Sequence, residues 1–340
     1  MKTWQIFCMN VRKRPQSMLL LLLGLVIIAV ILSICVGPVF LSPASLWNAL
    51  VGNGADITAA NILRYVRIPR TVGCVLAGMA LAVSGAIIQG VLSNPLAAPN
   101  IIGVNSGAGL MVALCCAIVP GTVKFMPLAA LLGAFLGAML VLTIAQRAGA
   151  SRITLVLAGV AVSQIFSAGI DAVITFVPDA LNGYSDFRIG GLTNLSLEKL
   201  WPAGGLILLG LLLALSLSGE LDILMLGTDT AQSLGLPVKR YRILLLAIAA
   251  ALAGAAVSFA GLLGFVGLIV PHIMRKLVGE ESLPLLAASA LGGAFLLTSC
   301  DLVARTLFSP YELPVGIVLS LLGGPFFIWL LLRQRRSGND

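Results

Sequence analysis

Long apolar stretches alternate with short polar segments along almost the whole chain. Most of them run for roughly the 20 residues that a helix needs to cross a bilayer. Because their apolar residues are continuous and do not alternate with polar ones, they predict helices and not strands. Glycines within 255–280 leave open whether that region forms one long helix or two short ones. Ten membrane-spanning helices are predicted, near residues 17–37, 71–91, 101–120, 125–146, 153–177, 200–218, 243–262, 263–279, 283–303 and 313–332.

The composition is that of an integral membrane protein. Hydrophobic residues make up 59% of the chain and charged residues 10%, whereas about a quarter of a soluble domain is charged. Glycine is abundant, with 37 residues, and aromatic residues reach only 6%, which favours closely packed helices over a barrel with aromatic girdles. The fold class predicted for residues 1–340 is therefore all-α, as a single polytopic membrane domain.

The basic residues predict the orientation of the chain in the membrane. If the N-terminus is cytoplasmic, about two-thirds of the 21 Lys and Arg residues fall on the cytoplasmic side, as the positive-inside rule requires. Both termini are then cytoplasmic. The net charge of +8 follows from this clustering, so we expect contact with membrane lipid and no nucleic-acid partner. The six cysteines lie mostly in apolar runs without ligand-like spacing, which predicts neither a metal site nor a disulfide.

The polar segment 219–242 separates two strongly apolar stretches and faces the cytoplasm in this orientation. Its pattern predicts an amphipathic turn that ends at Gly227 and a second short helix that Asp229 can cap. Gly235 suits the left-handed turn that closes a helix, and Pro237 prevents its continuation. Two short helices joined at a glycine suit a grip by a soluble partner, although an ordinary connecting loop is the alternative.

The end of the second predicted span combines prolines with polar side chains. Two prolines four residues apart, the second at Pro99, prevent a regular helix between them, and nearby amide side chains can satisfy the backbone groups that the break frees. One interpretation is a re-entrant turn that lines a translocation pathway. The other is a tight helix hairpin in which the amides hold the packing together. The candidate pathway residues here are Ser84, Gln89, Asn94, Pro95 and Asn105.

Three arginines stand on the predicted outer side, against the charge bias of the chain. Arg67 and Arg70 precede the second span, and Arg305 lies at the end of the ninth. They are candidates for docking acidic side chains of an external partner, for which Arg is well suited. The alternatives are contact with lipid headgroups and local pairing, such as Arg305 with Asp301 at i, i+4.

Motifs for catalysis or nucleotide binding do not occur in the sequence. There is no G-x-x-x-x-G-K-[ST] pattern, so the chain does not itself bind ATP through a P-loop. The only histidine, His272, follows Pro271 inside an apolar stretch, and both join the candidate pathway residues. Asp171 is the one acid deep within a predicted span. A proton relay through Asp171 and His272 would define the alternative function, a proton-coupled secondary transporter.

Six motifs, taken in order, resemble one family of bacterial membrane proteins. Together they are similar to the iron-siderophore, haem and cobalamin permeases of ATP-binding-cassette (ABC) importers, and the match extends from about residue 67 to residue 332. One small departure is Ile68, where the family more often has leucine. The motifs are RIPRT (67–71), the SG…Q…NPLAAP…G run (84–103), LMLGTDTAQSLG (224–235), GFVGLIVPHIMR (264–275), DLVAR (301–305) and ELPVGIVLSLLGGPFFIWLL (312–331).

The resemblance implies a permease subunit of an ABC importer, with ten spans in the bacterial cytoplasmic (inner) membrane. Such a subunit pairs with a second permease, identical or homologous, and with cytoplasmic ATPases that use ATP and Mg. An external or periplasmic solute-binding protein delivers a metal chelate, for which we expect a ferric siderophore before haem or cobalamin. The chain itself would be no enzyme and would bind no cofactor.

The resemblance also implies roles for individual residues. The three outer arginines would meet acidic side chains of the binding protein, and an inner gate would lie near Ser151 and Thr154. The segment 219–242, called the coupling segment below, would transmit force from the ATPase. Its coupling residues would be Leu221, Leu224, Leu226, Gly227, Ala231, Leu234 and Gly235.

Overall fold

A computed structural model describes residues 15–37, 57–119, 123–149, 152–193 and 195–337. Within these ranges the chain forms helices and no strand, so the predicted all-α class is confirmed. Continuous apolar sequence explains this outcome, because a helix satisfies its backbone hydrogen bonds internally and needs no polar neighbour in a membrane.

Long membrane helices and short connecting helices follow one another along the chain. They are α1 (Pro15–Cys35), α2 (Ile57–Ile62), α3 (Ile68–Leu92), α4 (Val104–Ile118), α5 (Met126–Arg147), α6 (Arg152–Phe176), α7 (Ala180–Ile189), α8 (Leu197–Ser216), α9 (Ser218–Met225), α10 (Thr228–Ser233), α11 (Val238–Ala260), α12 (Val266–Val278), α13 (Ser282–Thr306) and α14 (Val315–Ser337). A π-helical turn at Leu63–Arg67 joins α2 to α3 in one continuous rod.

Each predicted span overlaps one of the helices α1, α3, α4, α5, α6, α8, α11, α12, α13 and α14, with bounds that differ by a few residues. Among the described residues, six helices are long and apolar enough to cross a membrane, or seven if α8 and α9, bent by 56°, form one span. The chain is therefore a multi-pass membrane protein. Residues 1–14 and 338–340 lie outside the described ranges, and the count of ten spans and the cytoplasmic termini stay predictions.

The open question at 255–280 is answered by a break in the helix. Helix α11 ends at Ala260 and α12 begins at Val266. Gly261, with φ 69°, and Phe265, with φ 66°, have left-handed backbone conformations, which do not continue a right-handed helix. Helix α12 has 13 residues, about 20 Å of helix, which is short of a bilayer core of about 30 Å.

Helix α3 lies at the centre of the bundle and packs against α8, α11, α12 and α13. Two glycine contacts bring its backbone against neighbouring backbones: Gly78 meets Gly293 of α13, and Gly85 meets Gly267 of α12. A Cβ atom on either α3 glycine would overlap the neighbouring main chain. Small residues at such crossings allow membrane helices to approach closely.

A second group of helices, α4, α5 and α6, packs beside this centre. Gly107 of α4 meets the backbone of Gly133 in α5. Helix α6 is covered mainly on one side, since only 28% of its most apolar stretch is buried. Its other side, including Leu157 and Ile165, is exposed in the single chain.

Candidate functional site

The coupling segment forms two short helices joined at a glycine, as predicted. Helices α9 and α10 meet at Gly227, whose φ is 104°. Leu226 and Leu234 are 61% and 62% exposed. The side chains that the segment buries are Leu221, Leu224, Ala231 and Val238. One face is thus fixed to the bundle while two leucines point outward, which leaves them accessible to a partner protein.

The end of α10 follows the prediction, but its start does not. At the end, the amide of Leu236 donates to the carbonyl of Ala231 at 3.0 Å, and Gly235 has a φ of 82°, as in a Schellman motif. At the start, Gly227 occupies the N-cap position and no side chain caps the helix. The predicted cap at Asp229 is therefore wrong: α10 begins one residue before it, and its carboxylate lies in the first turn, where it still interacts favourably with the helix dipole.

Two contacts fix the coupling segment to the membrane helices. Leu221 packs against Gly90 near the end of α3, where a Cβ atom would come within 2.9 Å of the leucine side chain. The next residue of α9, Asp222, accepts two hydrogen bonds through its Oδ1. They come from the amide of Ser282 at 2.9 Å and from its hydroxyl at 2.6 Å. Ser282 is the first residue of α13, so a carboxylate of α9 caps the N-terminus of another helix.

Arg70 lies in a buried ion-pair cluster at the predicted outer end of the bundle. Its Nε lies 3.0 Å from both carboxylate oxygens of Asp301, and its Nη2 lies 2.9 Å from Oδ1. Its Nη1 donates to Glu312 Oε2 at 2.6 Å. Arg70 is only 5% exposed and Asp301 is fully buried. These three residues and Arg305 are called the outer charge cluster below.

The other two predicted docking arginines fasten α1 to this end of the bundle. Arg305 Nη2 donates to the carbonyl and the hydroxyl oxygen of Ser33, each at 2.7 Å. Its Nε lies 3.7 Å from Asp301, which confirms the local pair considered from the sequence. Arg67 Nη1 donates to the last two carbonyls of α1, both at 2.7 Å, groups that a helix end leaves without internal partners. All three arginines are engaged within the chain, and docking of an external partner stays a prediction.

The backbone between α3 and α4 is irregular, as the prolines predict. Ser93 ends α3 with φ 46°. Asn94 Oδ1 accepts the amide two residues on at 2.9 Å, an Asx-type turn, and Pro95 is partly buried within it. A 3-10 turn then leads through Gly103, whose φ is 79°, into α4.

Ser84 and Gln89, two of the candidate pathway residues, lie inside helix interfaces. Ser84 Oγ donates to the carbonyl of Ala249 in α11 at 2.7 Å. Gln89 Nε2 donates to the carbonyl of Gly267 at 3.1 Å, and its Oε1 accepts from Arg275 at 3.1 Å. Both side chains are buried. The contacts agree with the packing interpretation of these residues, and a pathway role for them stays a prediction.

Asn105 lines an open groove of about 500 Å³ beside α4, α6 and α7. The hydroxyls of Ser106 and Ser163 meet in this groove at 3.1 Å. Gln164 and Ser167 of α6 also line it and are exposed in the single chain. Polar side chains on a membrane helix face a water-filled cavity or another protein and not lipid, so this face of α6 is a candidate pathway surface.

The polar residues that α6 contributes to the groove are not among the candidates that the sequence predicts. A signal was available, because Ser163 and Ser167 are four residues apart and therefore lie on one helix face. Their small size made them indistinguishable from ordinary packing residues in an apolar run.

Of the remaining candidates, those that the structure describes lie on α6 and α12. Thr154 is partly buried in the first turn of α6, and Ser151 lies outside the described residues. Pro271 is buried within α12. His272 is partly buried, with its ring edge-on to Phe326 of α14 and the ring centroids 5.9 Å apart.

Comparison with protein families matches residues 25–333 to the FecCD transport family. The chain belongs to this family. The hemin transport system permease protein HmuU of Yersinia pestis is 40% identical over 97% of this chain and 100% of that protein. The Fe(3+)-citrate import system permease protein YfmE of Bacillus subtilis is 35% identical over 96% of this chain and 98% of that protein. A solved inward-facing ABC transporter, described as metal-chelate type, shares 29% identity and a TM-score of 0.81 over 94% of this chain and 99% of that chain.

Membership of the FecCD family confirms the resemblance drawn from the six motifs. The matched residues include the coupling segment, the outer charge cluster and the groove beside α6. The family match therefore extends over the coupling segment with its exposed leucines, the buried ionic cluster at the predicted outer end and the groove that Asn105 lines.

Proposed function

We propose that this FecCD-family chain is the permease subunit of an ABC importer that moves an iron chelate across the bacterial cytoplasmic (inner) membrane. The coupling segment carries the proposal. Its short helices are fastened to α3 and α13 while Leu226 and Leu234 point outward, so a separate ATPase can grip and move them. ATP and Mg would be used by that ATPase, and the chain itself would be no enzyme and would bind no cofactor.

Three kinds of partner complete the proposed transporter. ATPases bind the coupling segment, a solute-binding protein approaches the outer end, and a second permease, identical or homologous, covers the open face of α6. The exposed Gln164 and Ser167 support this last partner, because polar groups on a membrane helix need protein or water beside them. The cargo would pass between the two permeases along the groove that Asn105 lines.

Transport would proceed by alternating access. Closure of the ATPases on ATP would move α9 and α10, and the membrane helices attached to them would open the central pathway to one side at a time. The side chains along the groove are apolar or uncharged hydrogen-bonding groups, with Arg188 as a cationic exception. Such a lining supports passage of a large chelate without tight retention, with affinity supplied by the binding protein.

The proposed cargo is an iron chelate, with a ferric siderophore expected before haem or cobalamin. The names of the two relatives refer to hemin and to Fe(3+)-citrate, which supports the broader class. A panel of labelled chelates, offered with the cognate binding protein, tests the finer choice. Uptake of haem or cobalamin without uptake of a siderophore would overturn the choice of a siderophore as cargo but not the proposed role as an ABC importer.

Reconstitution into proteoliposomes tests the function itself. Uptake should require the ATPase, ATP and the binding protein together, and omission of any one should abolish it. Uptake driven by a pH gradient alone, and lost in His272→Ala, would make the chain a proton-coupled secondary transporter instead.

A further inference from the structure

Helix α13 makes polar contacts at both of its ends. It has 25 residues, which is about 37 Å of helix and exceeds a bilayer core of about 30 Å. Of its most apolar stretch, 61% is buried within the chain. A close-packed interior has low compressibility and transmits strain, so a displacement at one end of such a buried helix acts on the other end.

At its first residue, α13 is held by the coupling segment. Asp222 Oδ1 of α9 receives both the amide and the hydroxyl of Ser282, at 2.9 and 2.6 Å. The sulfur of Met225 lies 4.0 Å from the same hydroxyl. A hydrogen bond to a carboxylate is stronger than one between neutral groups, and the dipole of α13 favours a negative charge here. Movement of α9 therefore acts directly on the start of α13.

In its middle, α13 is pressed against two other helices. Gly293 meets the backbone of Gly78 in α3, and a Cβ atom on Gly292 would lie 3.0 Å from Val270 and 3.2 Å from Met274 of α12. These contacts leave α13 little room to shift against α3 and α12 at this level, so we expect the two helices to move with it.

Near its last turn, α13 supplies the acid at the centre of the outer charge cluster. Asp301 pairs with Arg70 of α3 at 2.9 Å. Arg305, one turn on, reaches Ser33 of α1 at 2.7 Å. One rod thus joins a cytoplasmic carboxylate to the buried ions at the opposite predicted end.

We infer that α13 transmits displacement of the coupling segment to the outer charge cluster, and that Asp222 is the positioning residue that engages it. The inference rests on the proposed function, since it needs an ATPase at one end and a binding protein at the other. Coupling between two binding events is reciprocal. Nucleotide should therefore change the affinity for the binding protein by the same factor by which the binding protein changes the affinity for nucleotide.

The quantity to measure is the coupling factor, the ratio of the affinities for the binding protein with and without nucleotide. The complete transporter in lipid nanodiscs is titrated with its binding protein in the presence and absence of a non-hydrolysable ATP analogue. Asp222→Ala should bring the factor to within about twofold of one, from a wild-type value in the usual range of about 5 to 150. Asp222→Asn keeps an oxygen acceptor for Ser282 and should retain part of the factor, a rescue that general loss of structure would not produce.

Matched variants separate this role from others. Glu281→Ala removes an exposed carboxylate next to Ser282 that makes no cap bond to α13, and it should keep the wild-type factor. The double variant Asp222→Ala, Ser282→Ala should have the same coupling factor as Asp222→Ala alone, because both changes remove the same contact between Asp222 and Ser282.

Two results would overturn the inference: an unchanged factor in Asp222→Ala, or loss of the ATPase from that variant on purification, which would make Asp222 an assembly residue. A wild-type chain that binds neither ATPase nor binding protein would refute the proposed function itself.

Discussion

Arg70 and Asp301 are 231 positions apart in the sequence, yet they form a two-nitrogen ion pair with separations of 3.0 and 2.9 Å. Asp301 has no exposed surface. The pair joins α3 to α13 where water is excluded. Removal of one partner from such a pair leaves an uncompensated charge, which costs more than replacement of both by apolar residues.

Single changes in this pair should therefore be severe. Asp301→Leu or Arg70→Met should each lower the free energy of unfolding by about 3–5 kcal/mol, measured by SDS titration in mixed micelles. The double variant should lose less than the sum of the two single losses. Glu312→Gln is the control, since its side chain is 30% exposed and its pair should contribute about 1 kcal/mol or less. Strictly additive losses would show that Arg70 and Asp301 are not coupled.

The crossing of α3 and α13 should tolerate no side chain. Gly293→Ala places a Cβ atom against the carbonyl of Gly78, so we expect loss of folded protein in size-exclusion chromatography. Gly205→Ala in α8 is the matched control, because its Cβ atom would meet nothing within 4 Å. It should be neutral or stabilising by up to about 1 kcal/mol, as alanine is the better helix former. Equal behaviour of the two variants would contradict the close crossing.

The helices and the ends of the coupling helices follow from local sequence. Apolar runs of bilayer length specify helices whatever their neighbours are, because the membrane leaves the backbone no other partner. Gly227 and Gly235 could be placed at turns because a left-handed backbone conformation favours glycine. The misplaced cap at Asp229 has the same local origin: glycine also serves at an N-cap, and the sequence offered both.

The contacts between distant residues could not be predicted in the same way. The pairing of Arg70 with Asp301 depends on which helices face each other. Several basic residues lie near span ends on the predicted outer side, so the sequence does not show which of them pairs with Asp301. The crossing of Gly78 with Gly293 is hidden for a similar reason, since glycines recur throughout the chain. The short length of α12 could not be predicted, because the apolar sequence continues across the break at Gly261.

The exposed leucines of the coupling segment should bind the ATPase. Leu234→Glu puts a charge where an apolar side chain is 62% exposed, so the permease should fold normally and the ATPase should no longer co-purify with it. Gln232→Glu, two residues earlier in α10, is the control, because it adds the same charge at an exposed polar position. Retention of the ATPase by Leu234→Glu would remove the coupling role from this residue.

Burial of the outer arginines changes how their docking role should be tested. Reversal of Arg70 to Glu would set like charges beside Asp301, and loss of docking would then follow from loss of the fold. Glu312→Gln instead removes the negative charge beside Arg70 Nη1 and keeps an oxygen that can accept its hydrogen bond. If this arginine docks an acidic side chain, affinity for the binding protein should rise several-fold and become more sensitive to salt.

Surface plasmon resonance at several salt concentrations measures this effect. Glu198→Gln removes an exposed carboxylate in the first turn of α8 and should leave the affinity near the wild-type value. If Glu312→Gln changes neither affinity nor its salt dependence, Arg70 has a structural role alone.

The hydrogen bonds between Ser33 and Arg305 also have a consequence for biosynthesis, because 272 positions separate the two residues. Only 22% of the most apolar stretch of α1 is buried within the chain, so these bonds are a main attachment of that helix. A ribosome adds about 5–20 residues per second, so about 15 to 50 seconds pass between synthesis of Ser33 and of its partner. Throughout that interval the nascent α1 can be held by Arg67 but lacks its bonds to Arg305, and a translation product that stops before α13 never acquires them.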